Sequence, residues 1–375
     1  MKIACIATAQ VPSITANSIQ VMKVCHALAR NGHEVTLYVP GKPATDWETL
    51  ADLYGLSQPF PVRWLSALPL AKRNDFALRA VRLARRERAE MVYTWAIQSA
   101  VMALVSGMPA VFEAHDLPTG RLGPLWMRVF LRLPGRRRLV CITRALRRAL
   151  EARFAVRLPE HQVVIAPNGV DLDRYRDLPD PPSARAQLGL AEGVTVGCSG
   201  HLYAGRGGEL FLALAQAFPQ AQFLWAGGRE EDVQSYRRLA QERALANVTF
   251  TGFIPQARLP LVQAAADILL MPYGKSIAGS SGGNSAEICS PMKLFDYLAV
   301  GRAILSSDLP VIREVLDEDT AVFAPPEDAA GWIEALRPLL ADAGLRRRLA
   351  ERAHALAEQY DWQARQARIL GGETW

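Results

Sequence analysis

The sequence predicts an α/β protein made of two doubly wound parallel-sheet domains that face a central cleft. Short apolar runs alternate with longer amphipathic runs along all 375 residues. Nearly continuous apolar strands separated by helices are typical of parallel sheets covered on both faces. The length suits two domains of ordinary size. A proline-rich polar stretch at 178–183 follows a turn at 167–171, which predicts domains at 1–170 and 171–357.

Thirteen strands are expected, and right-handed crossovers between them give each domain its doubly wound sheet. The seven strands of the first domain are predicted at 3–7, 34–39, 62–65, 91–95, 110–114, 139–143 and 162–166. The six strands of the second domain are predicted at 194–199, 222–226, 248–251, 267–271, 303–306 and 320–323. In such sheets ligands bind where the strands end at their carboxyl edge, so the loops there are the candidate sites.

Composition indicates a soluble, cytoplasmic protein. Half of the residues are hydrophobic and 21% are charged, and no apolar run reaches the roughly 18 residues that span a bilayer. The apolar run behind Lys2 is the size of a strand and does not resemble a signal peptide. Five cysteines stand without metal-binding or redox spacing, which favours reduced thiols in the core.

The charge is unevenly distributed along the chain. Residues 1–170 carry 23 Lys and Arg against 11 Asp and Glu, and the remainder carries 20 against 26. Much of the excess lies in two helical stretches, 72–88 and 128–148, where arginines alternate with Phe76, Val81 and Phe130. Such helices either lie on an anionic membrane surface or are simply solvated. No nucleic-acid-binding motif accompanies them, so a nucleic-acid partner is not expected.

Polar residues follow two predicted strands of the first domain. Asn17 and Ser18 end the loop after the first strand, where either would cap a helix at 18–30 and could also face a ligand. Glu113, His115 and Asp116 end the fifth strand. An imidazole there could donate a hydrogen bond or relay a proton to a reacting oxygen, or it could be satisfied by backbone groups at a domain interface.

The second domain carries a glycine-rich turn at 199–208 after its first strand. Gly205 and its neighbours allow a phosphate to approach the backbone, and Arg206 can bind it with a forked pair of hydrogen bonds. Phe253 and Ile254, after the third strand, are candidates to contact a nucleobase, although an ordinary turn is equally consistent. The polar loop 279–285 could close over a ligand. The acids at 317–319 are interpreted as a solvated turn, and no metal site is predicted.

The stretch 290–308 predicts a loop, a helix start, a glycine turn and a buried strand. A helix N-terminus presents unpaired N–H groups and a positive dipole end, which suit a phosphate. Asp296 lies one turn into this helix, where a carboxylate could accept hydrogen bonds from ribose hydroxyls.

Nine segments together resemble the retaining glycosyltransferases of family 4 (glycosyl transferases group 1), which have the GT-B fold of two Rossmann-like domains. The match runs over nearly the whole chain through ANSIQVMKVCHALARNGHEVTLYVP, FEAHD, IAPNGVDLDRY, GHLYAGRGGELFLALA, FLWAGG, NVTFTGFIP, ADILLMPY, SPMKLFDYLAVGRAILSSDLPVIREVL and a final YDW helix. The resemblance implies that the terminal helix, about 358–375, crosses back to the first domain.

The resemblance also assigns the residues that would hold a nucleotide diphosphate sugar. The family normally has Arg and Lys in the turn after the first strand of the second domain, and His201 and Arg206 stand there. Arg206 keeps the charge, and the His201 contact is expected to be weaker or pH-dependent. Met292 and Lys293 match backbone N–H groups that hold phosphate, and Asp296 matches the ribose ligand.

One departure from the family pattern concerns the first of its two paired acids. That acid falls at Ile288, which cannot bond a sugar hydroxyl, so Glu287 is the candidate substitute. His115 matches a histidine near the donor sugar. Asn17, Ser18 and Ser290 match loops where donor and acceptor meet. His115, Arg206 and His201 are therefore the predicted catalytic residues.

The implied reaction moves a sugar from a nucleotide diphosphate to a saccharide or lipid-linked acceptor, with retention and without a metal or other cofactor. Positive groups and the helix N-terminus would stabilise the departing diphosphate, and no protein nucleophile is required. The expected setting is cell-envelope polysaccharide biosynthesis, in the cytoplasm or peripheral on the inner face of the membrane. Two alternatives stay open: a sugar-nucleotide epimerase of the same fold, or a catalytically silent sugar-nucleotide-binding protein.

Overall fold

The computed structural model describes residues 1–43, 45–68, 73–203, 205–276 and 286–371. These residues form two parallel-sheet α/β units, as the alternating pattern predicts. The predicted loop 279–285 lies outside the described residues. One unit comprises Met1–Asn168, Ile288–Ser290 and Trp362–Trp375, and the other comprises Gly169–Glu287 and Pro291–Asp361.

The first unit is built on a seven-stranded sheet in the order β3-β2-β1-β4-β5-β6-β7, with every pairing parallel. Its strands are β1 (Lys2–Ile6), β2 (Glu34–Pro40), β3 (Val62–Leu65), β4 (Met91–Thr94), β5 (Ala110–Ala114), β6 (Arg137–Cys141) and β7 (Val163–Ile165). Its helices are α1 (Ala16–Arg30), α2 (Trp47–Tyr54), α3 (Asn74–Arg86), α4 (Ile97–Val105), α5 (Gly123–Arg132) and α6 (Arg144–Phe154), with a 3-10 turn at Glu160–Gln162.

The second unit is built on a six-stranded parallel sheet in the order β10-β9-β8-β11-β12-β13. Its strands are β8 (Thr195–Ser199), β9 (Gln222–Ala226), β10 (Val248–Gly252), β11 (Ile268–Met271), β12 (Ala303–Ser307) and β13 (Val322–Ala324). Its helices are α7 (Pro181–Leu188), α8 (Gly208–Ala217), α9 (Glu230–Glu242), α10 (Leu259–Ala264), α11 (Met292–Val300), α12 (Ala329–Ala341) and α13 (Ala343–Ala357), with 3-10 turns at Leu172–Tyr175 and Glu358–Tyr360.

The last helix of the chain, α14 (Trp362–Leu370), belongs to the first unit. It packs along α1 and buries Trp362, Arg365, Gln366 and Ile369. Arg138 of β6 donates hydrogen bonds to the carbonyls of Ile369 and Gly371, the second at 2.8 Å. The C-terminal part of α14 is thus held by a buried arginine of the sheet.

The strand order places one topological switch point in each sheet. In the first unit the chain leaves β1 toward β2 and later returns to its other side as β4, and in the second β8 lies between β9 and β11. The loops that follow these paired strands diverge and leave a crevice, which is where open α/β sheets bind ligands. The loops after β1 and β4, and those after β8 and β11, are therefore the candidate ligand-binding loops.

Candidate active site

The glycine-rich turn after β8 packs directly against the loop that follows β11. Gly207 has a φ of +82°, and a Cβ there would lie 2.3 Å from the Pro272 carbonyl oxygen. The Gly205 carbonyl also accepts a hydrogen bond of 2.9 Å from the Gly274 N–H. Only glycine fits the left-handed, crowded position 207, so its first role here is to bring the two switch-point loops together.

This packing directs the Arg206 side chain toward the buried aromatic ring of Tyr273. Its Nη1 donates a hydrogen bond of 3.0 Å to the Tyr273 hydroxyl, and its guanidinium carbon lies 5.1 Å from the centroid of the Tyr273 ring. The contact combines a hydrogen bond with a cation–π interaction. Tyr273 therefore fixes the direction of the Arg206 side chain.

Lys293, in the first turn of α11, approaches the same ring. Its Nζ lies 5.0 Å from the Tyr273 centroid and 3.8 Å from Cys198 Sγ. Burial raises the pKa of the Cys198 thiol although the Lys293 charge opposes this, so the thiol stays neutral and does not compensate the ammonium. Across the described ranges, neither Arg206 nor Lys293 forms an ion pair with a carboxylate. Two uncompensated cations beside one ring make a site for an anion.

The N-terminus of α11 adds to this positive environment. Pro291 is the N-cap residue and makes no side-chain capping bond, and the first turn, which contains Met292 and Lys293, carries no acid. The positive end of the helix dipole is therefore not offset by a side chain of its own helix.

Asp296 lies in the second turn of α11, half-buried beside Tyr175. Burial, together with the Asp296 charge and a hydrogen bond to it, raises the pKa of Tyr175 well above its ordinary value. The Tyr175 hydroxyl also lies 3.1 Å from Gln263 Oε1, and Gln263 Nε2 donates to Ser199 Oγ at 3.1 Å. A buried polar chain thus connects Asp296 with the end of β8.

His201, after β8, and the predicted base contacts, after β10, lie on two loops of the same unit. The His201 ring stacks on Tyr203 with centroids 4.8 Å apart and an interplanar angle of 9°. The Arg229 guanidinium covers the same tyrosine ring at 5.5 Å. Phe253, after β10, is 45% exposed, and Ile254 beside it is half-buried. The exposed phenyl face could stack on a planar ring.

The loop after β1 differs in detail from the expectation. Helix α1 begins at Ala16, and the Thr15 side chain accepts the capping hydrogen bond from the Ser18 N–H. The prediction that Asn17 or Ser18 is the N-cap is therefore wrong, because the helix starts earlier. Ser18 is buried with its Oγ 2.6 Å from the Tyr54 hydroxyl, whereas Asn17 is exposed.

His115 is joined to the buried Glu113. Its Nε2 lies 2.8 Å from Glu113 Oε1, and its side chain is 31% exposed while that of Glu113 is fully buried. Gln20 Nε2 donates to the same oxygen at 2.7 Å, Arg365 donates to both carboxylate oxygens, and the Tyr93 hydroxyl donates to Oε2. Burial alone would raise the pKa of Glu113, but the Arg365 charge and the His115 hydrogen bond outweigh it and hold that pKa well below its ordinary value.

The short segment 288–290 belongs to the first unit. Ile288, at the position of the missing acid, is buried in the apolar core and its carbonyl accepts a hydrogen bond from Thr143. Ser290 is also buried, and its hydroxyl accepts a hydrogen bond from the Asn168 N–H at 2.9 Å. Glu287 is exposed. A charged side chain at 288 would be costly, because the position is part of a hydrophobic core.

Several residues of these clusters were not predicted as site residues. Tyr273 follows β11 at the carboxyl edge of its sheet, so its position at a strand end is a signal that could have found it. Tyr175, Tyr93, Gln20 and Arg365 carry no such signal, because each reaches its partner only through the tertiary fold.

The arginine-rich helices are more deeply packed than the sequence suggests. Phe76 and Val81 of α3 and Phe130 of α5 are buried in the core, so these three side chains are not available to contact a membrane. These side chains cover the central sheet and leave the arginines outside. Two leucines at α5 remain exposed, Leu122 at 41% and Leu125 at 54%.

No helix within the described ranges has the length and apolar character needed to cross a membrane. The acids at 317–319 form a turn in which Asp317 Oδ1 accepts hydrogen bonds from the Thr320 N–H and hydroxyl. Within the same ranges, no cluster of three or more His, Cys, Asp or Glu side chains is arranged to hold a metal ion.

Two family profiles match the chain in tandem, one in each unit. Glycosyltransferase Family 4 matches residues 18–174 and Glycosyl transferases group 1 matches residues 193–342. Two solved structures each align over 98% of this chain. The Anabaena protein HepE in complex with UDP and glucose aligns over 98% of its own chain, with a TM-score of 0.75 and 17% identity. Sucrose-phosphate synthase from Thermosynechococcus elongatus aligns over 97% of its own chain, with a TM-score of 0.75 and 20% identity. These similarities show that the two parallel-sheet units have the GT-B fold.

Curated relatives are similar over a shorter stretch. The alpha-galactosylglucosyldiacylglycerol synthase of Streptococcus pneumoniae is 25% identical over 219 residues, which are 56% of this chain and 54% of that protein. The phosphatidyl-myo-inositol mannosyltransferase of Mycolicibacterium smegmatis is 29% identical over 232 residues, which are 59% and 54% of the two chains. The matches thus span about half the length of these relatives. From its tandem profiles and its fold, the chain belongs to glycosyltransferase family 4, with the GT-B fold.

Proposed function

We propose that this protein is a retaining, metal-independent glycosyltransferase that uses a nucleotide diphosphate sugar. The observation that carries the proposal is the convergence of Arg206 and Lys293 on Tyr273 beside the N-terminus of α11. Two cations and a helix dipole would stabilise the charge that grows on a diphosphate as the glycosidic bond breaks. In this proposal the ribose hydroxyls bind Asp296, and the base stacks on Phe253 next to Ile254.

The remaining predicted residues complete the proposed donor site. His201 would contact the diphosphate, and His115 would contact the donor sugar. Backbone N–H groups for the diphosphate would come from Gly205, Met292 and Lys293.

The acceptor side is assigned to Asn17, because Ser18 and Ser290 are buried in hydrogen bonds of their own unit. Glu287 is exposed and would reach the sugar only from a rearranged loop.

We further propose that the acceptor is a lipid-linked saccharide of the cell envelope. The names of two relatives, an alpha-galactosylglucosyldiacylglycerol synthase and a phosphatidyl-myo-inositol mannosyltransferase, each refer to a lipid. In this chain an α5 patch combines exposed leucines with exposed arginines: Arg121, Leu122, Leu125, Arg128 and Arg132. Apolar side chains ringed by cations suit the interface of an anionic membrane.

A donor screen tests the transferase proposal. UDP-, GDP- and ADP-sugars are compared by thermal shift, since a ligand that binds only the folded protein stabilises it. We expect one base to stabilise the wild type, and we expect Arg206→Ala to weaken its binding about 100-fold. Arg337→Ala is the matched control, because Arg337 lies 5.6 Å over Phe218 but pairs with Glu334.

Product analysis separates the proposal from its alternatives. Radiolabelled donor is incubated with and without a crude lipid extract as acceptor source, and the anomeric configuration of the product is determined. Transfer with retention supports the proposal. Isomerised sugar nucleotide without acceptor would instead indicate an epimerase, and binding with neither product nor hydrolysis would indicate a silent binding protein.

Vesicle sedimentation tests the proposal that the α5 patch binds an anionic membrane. We expect binding to vesicles of phosphatidylglycerol and phosphatidylcholine but not of phosphatidylcholine alone, and we expect Leu122→Ser with Leu125→Ser to reduce it about tenfold. Val105→Ser removes an isolated exposed side chain, 71% exposed, from the same unit and is the control. Equal binding by the double variant and the wild type would exclude the α5 patch.

A further inference from the structure

The network around Glu113 leaves only one of its members accessible. Glu113 Oε1 accepts from Gln20, His115 and Arg365, and Oε2 accepts from Tyr93 and Arg365. Gln20, Tyr93 and Arg365 are at most 2% exposed, whereas the His115 side chain is 31% exposed. A ligand that approaches this network from solvent therefore meets His115 first.

The bond to Glu113 decides which nitrogen of His115 a ligand meets. An ionised carboxylate can only accept hydrogen bonds, so His115 Nε2 must carry the proton that it shares with Glu113 Oε1 at 2.8 Å. In the neutral imidazole the other nitrogen, Nδ1, is then an acceptor. Glu113 remains ionised because the Arg365 guanidinium holds its pKa down.

We infer that Arg365, in the last helix of the chain, is a positioning residue for His115. By donating to both oxygens of Glu113 it keeps the carboxylate charged and oriented, and this sets the tautomer and the direction of the imidazole. A residue near the end of the chain thus completes a site whose other members lie between positions 20 and 115. The effect on sugar transfer rests on the proposed function, whereas the effect on the tautomer does not.

Arg365 could instead serve only to hold α14 against the rest of its unit, and this alternative can be tested separately from the positioning of His115. Arg365 also donates to the carbonyls of Pro167 and Ala166, at 2.6 and 2.8 Å, so its loss weakens tertiary packing as well. Arg138 holds the same helix through the Ile369 and Gly371 carbonyls, and it does not appear among the donors to Glu113. Arg138→Met is therefore a matched control for helix docking.

The first test reads the His115 tautomer directly by ¹⁵N NMR of histidine-labelled protein over a series of pH values, because the neutral imidazole is the form that has a tautomer. The His115 signals are identified among those of the six histidines by their absence from a His115→Gln variant. We expect a single Nε2–H tautomer in the wild type and in Arg138→Met, and a mixture of both tautomers in Arg365→Met and in Glu113→Gln. Arg365→Lys, which keeps the charge, should restore most of the single tautomer.

The second test uses sugar transfer with the donor found in the screen. We expect Arg365→Met to lower kcat about 100-fold with KM nearly unchanged, as misorientation of a positioned group does, and Arg138→Met to change kcat less than about threefold. An Nδ1–H tautomer in the wild type, or the same tautomer in Arg365→Met as in the wild type, would overturn the inference. If Arg365→Met does not fold, Arg365→Gln replaces it, and the same two outcomes decide. Absence of transfer by the wild type would count against the proposed function and leave the NMR result valid.

Discussion

Arg365 and Glu113 form a two-point ion pair across 252 positions of sequence, with Nη2 to Oε1 at 2.8 Å and Nη1 to Oε2 at 3.2 Å. Both side chains are at most 1% exposed. A buried charge is tolerated only when it is paired and hydrogen-bonded, and here the pair joins the fifth strand to the final helix. Its loss should therefore affect stability as well as the orientation of His115.

We predict that Glu113→Gln lowers the free energy of unfolding by about 3 kcal/mol at neutral pH, because it leaves the Arg365 charge buried without its counter-ion. Urea denaturation followed by circular dichroism measures the change. Glu318→Gln is the control, since Glu318 pairs with Arg313 on the surface and such pairs contribute less than about 1 kcal/mol.

The difference in stability between the wild type and Glu113→Gln should also depend on pH. The pKa of Glu113 in the folded protein lies below its ordinary value of 4.5, so its ionised form stabilises the fold above that pH. This contribution is lost as the pH falls toward the folded-state pKa. The difference in stability between the wild type and Glu113→Gln should be constant from about pH 6 to 8 and shrink below about pH 4. A difference at about pH 3 that equals the difference at about pH 7 would contradict the assignment.

We predict that Tyr273→Phe weakens diphosphate binding about fivefold. The substitution keeps the ring beneath Arg206 and Lys293 but removes the hydroxyl that accepts a 3.0 Å hydrogen bond from Arg206, a contact of about 1 kcal/mol. Calorimetric titration with the nucleoside diphosphate measures it. Tyr38→Phe, which removes a hydroxyl bonded to Glu87 in the other unit, should leave binding unchanged, and an equal loss in both variants would argue against an orienting role for Tyr273.

The fold was largely predictable because its strands are apolar and bounded by turns. All thirteen predicted strands are present, each within two residues of its expected ends. The sixth strand begins two residues earlier than predicted. The prediction left out Arg137 and Arg138 because charged residues are unusual in a buried strand. Arg138 enters the strand because its guanidinium donates to the carbonyls of Ile369 and Gly371 at the end of the terminal helix, and no local sequence pattern indicates that contact.

The candidate site was predictable only where a side chain lies at a strand or helix end. Arg206 and Lys293 follow this rule and converge on Tyr273 in the second unit, and Asp296, one turn into α11, lies beside Tyr175. Ser18 satisfies the same rule but turns inward to Tyr54, because the helix begins two residues earlier. The Glu113–Arg365 pair lay beyond prediction, since complementary charges 252 residues apart carry no signal of contact.

We predict that His201→Arg tightens binding of the donor nucleotide about tenfold. A guanidinium would give the diphosphate a second charge-assisted contact, which is worth more than a neutral hydrogen bond, and it would restore the residue that the family has there. Calorimetric titration at two salt concentrations measures the gain, which should shrink as ionic strength rises. Arg229→Lys tests whether altering the Tyr203 stack alone produces the effect, and we expect it to change affinity less than twofold.

We predict that Asp296→Asn weakens binding of the donor nucleotide about tenfold and removes its preference over the 2′- and 3′-deoxy counterparts. The carboxylate would accept hydrogen bonds from ribose hydroxyls, and an amide accepts them less strongly. Competition titration with the three nucleotides measures both quantities. Asp308→Asn, at an exposed carboxylate held by Arg313, is the control. If Asp296→Asn keeps the full preference for ribose, then the sugar hydroxyls bind elsewhere.

We predict that Gly207→Ala destabilises the protein by more than about 3 kcal/mol, whereas Gly32→Ala costs only about 1 kcal/mol. Both glycines have a φ near +80°, so the two substitutions share the same backbone strain. A Cβ at Gly32 would meet no atom within 4 Å, but at Gly207 it would lie 2.3 Å from the Pro272 carbonyl oxygen. Because the backbone strain is common to both variants, the difference between their melting temperatures reports the stability lost when the loops after β8 and β11 are pushed apart. Equal melting temperatures would mean that these loops separate easily and that Arg206 is not held against Tyr273 by their packing.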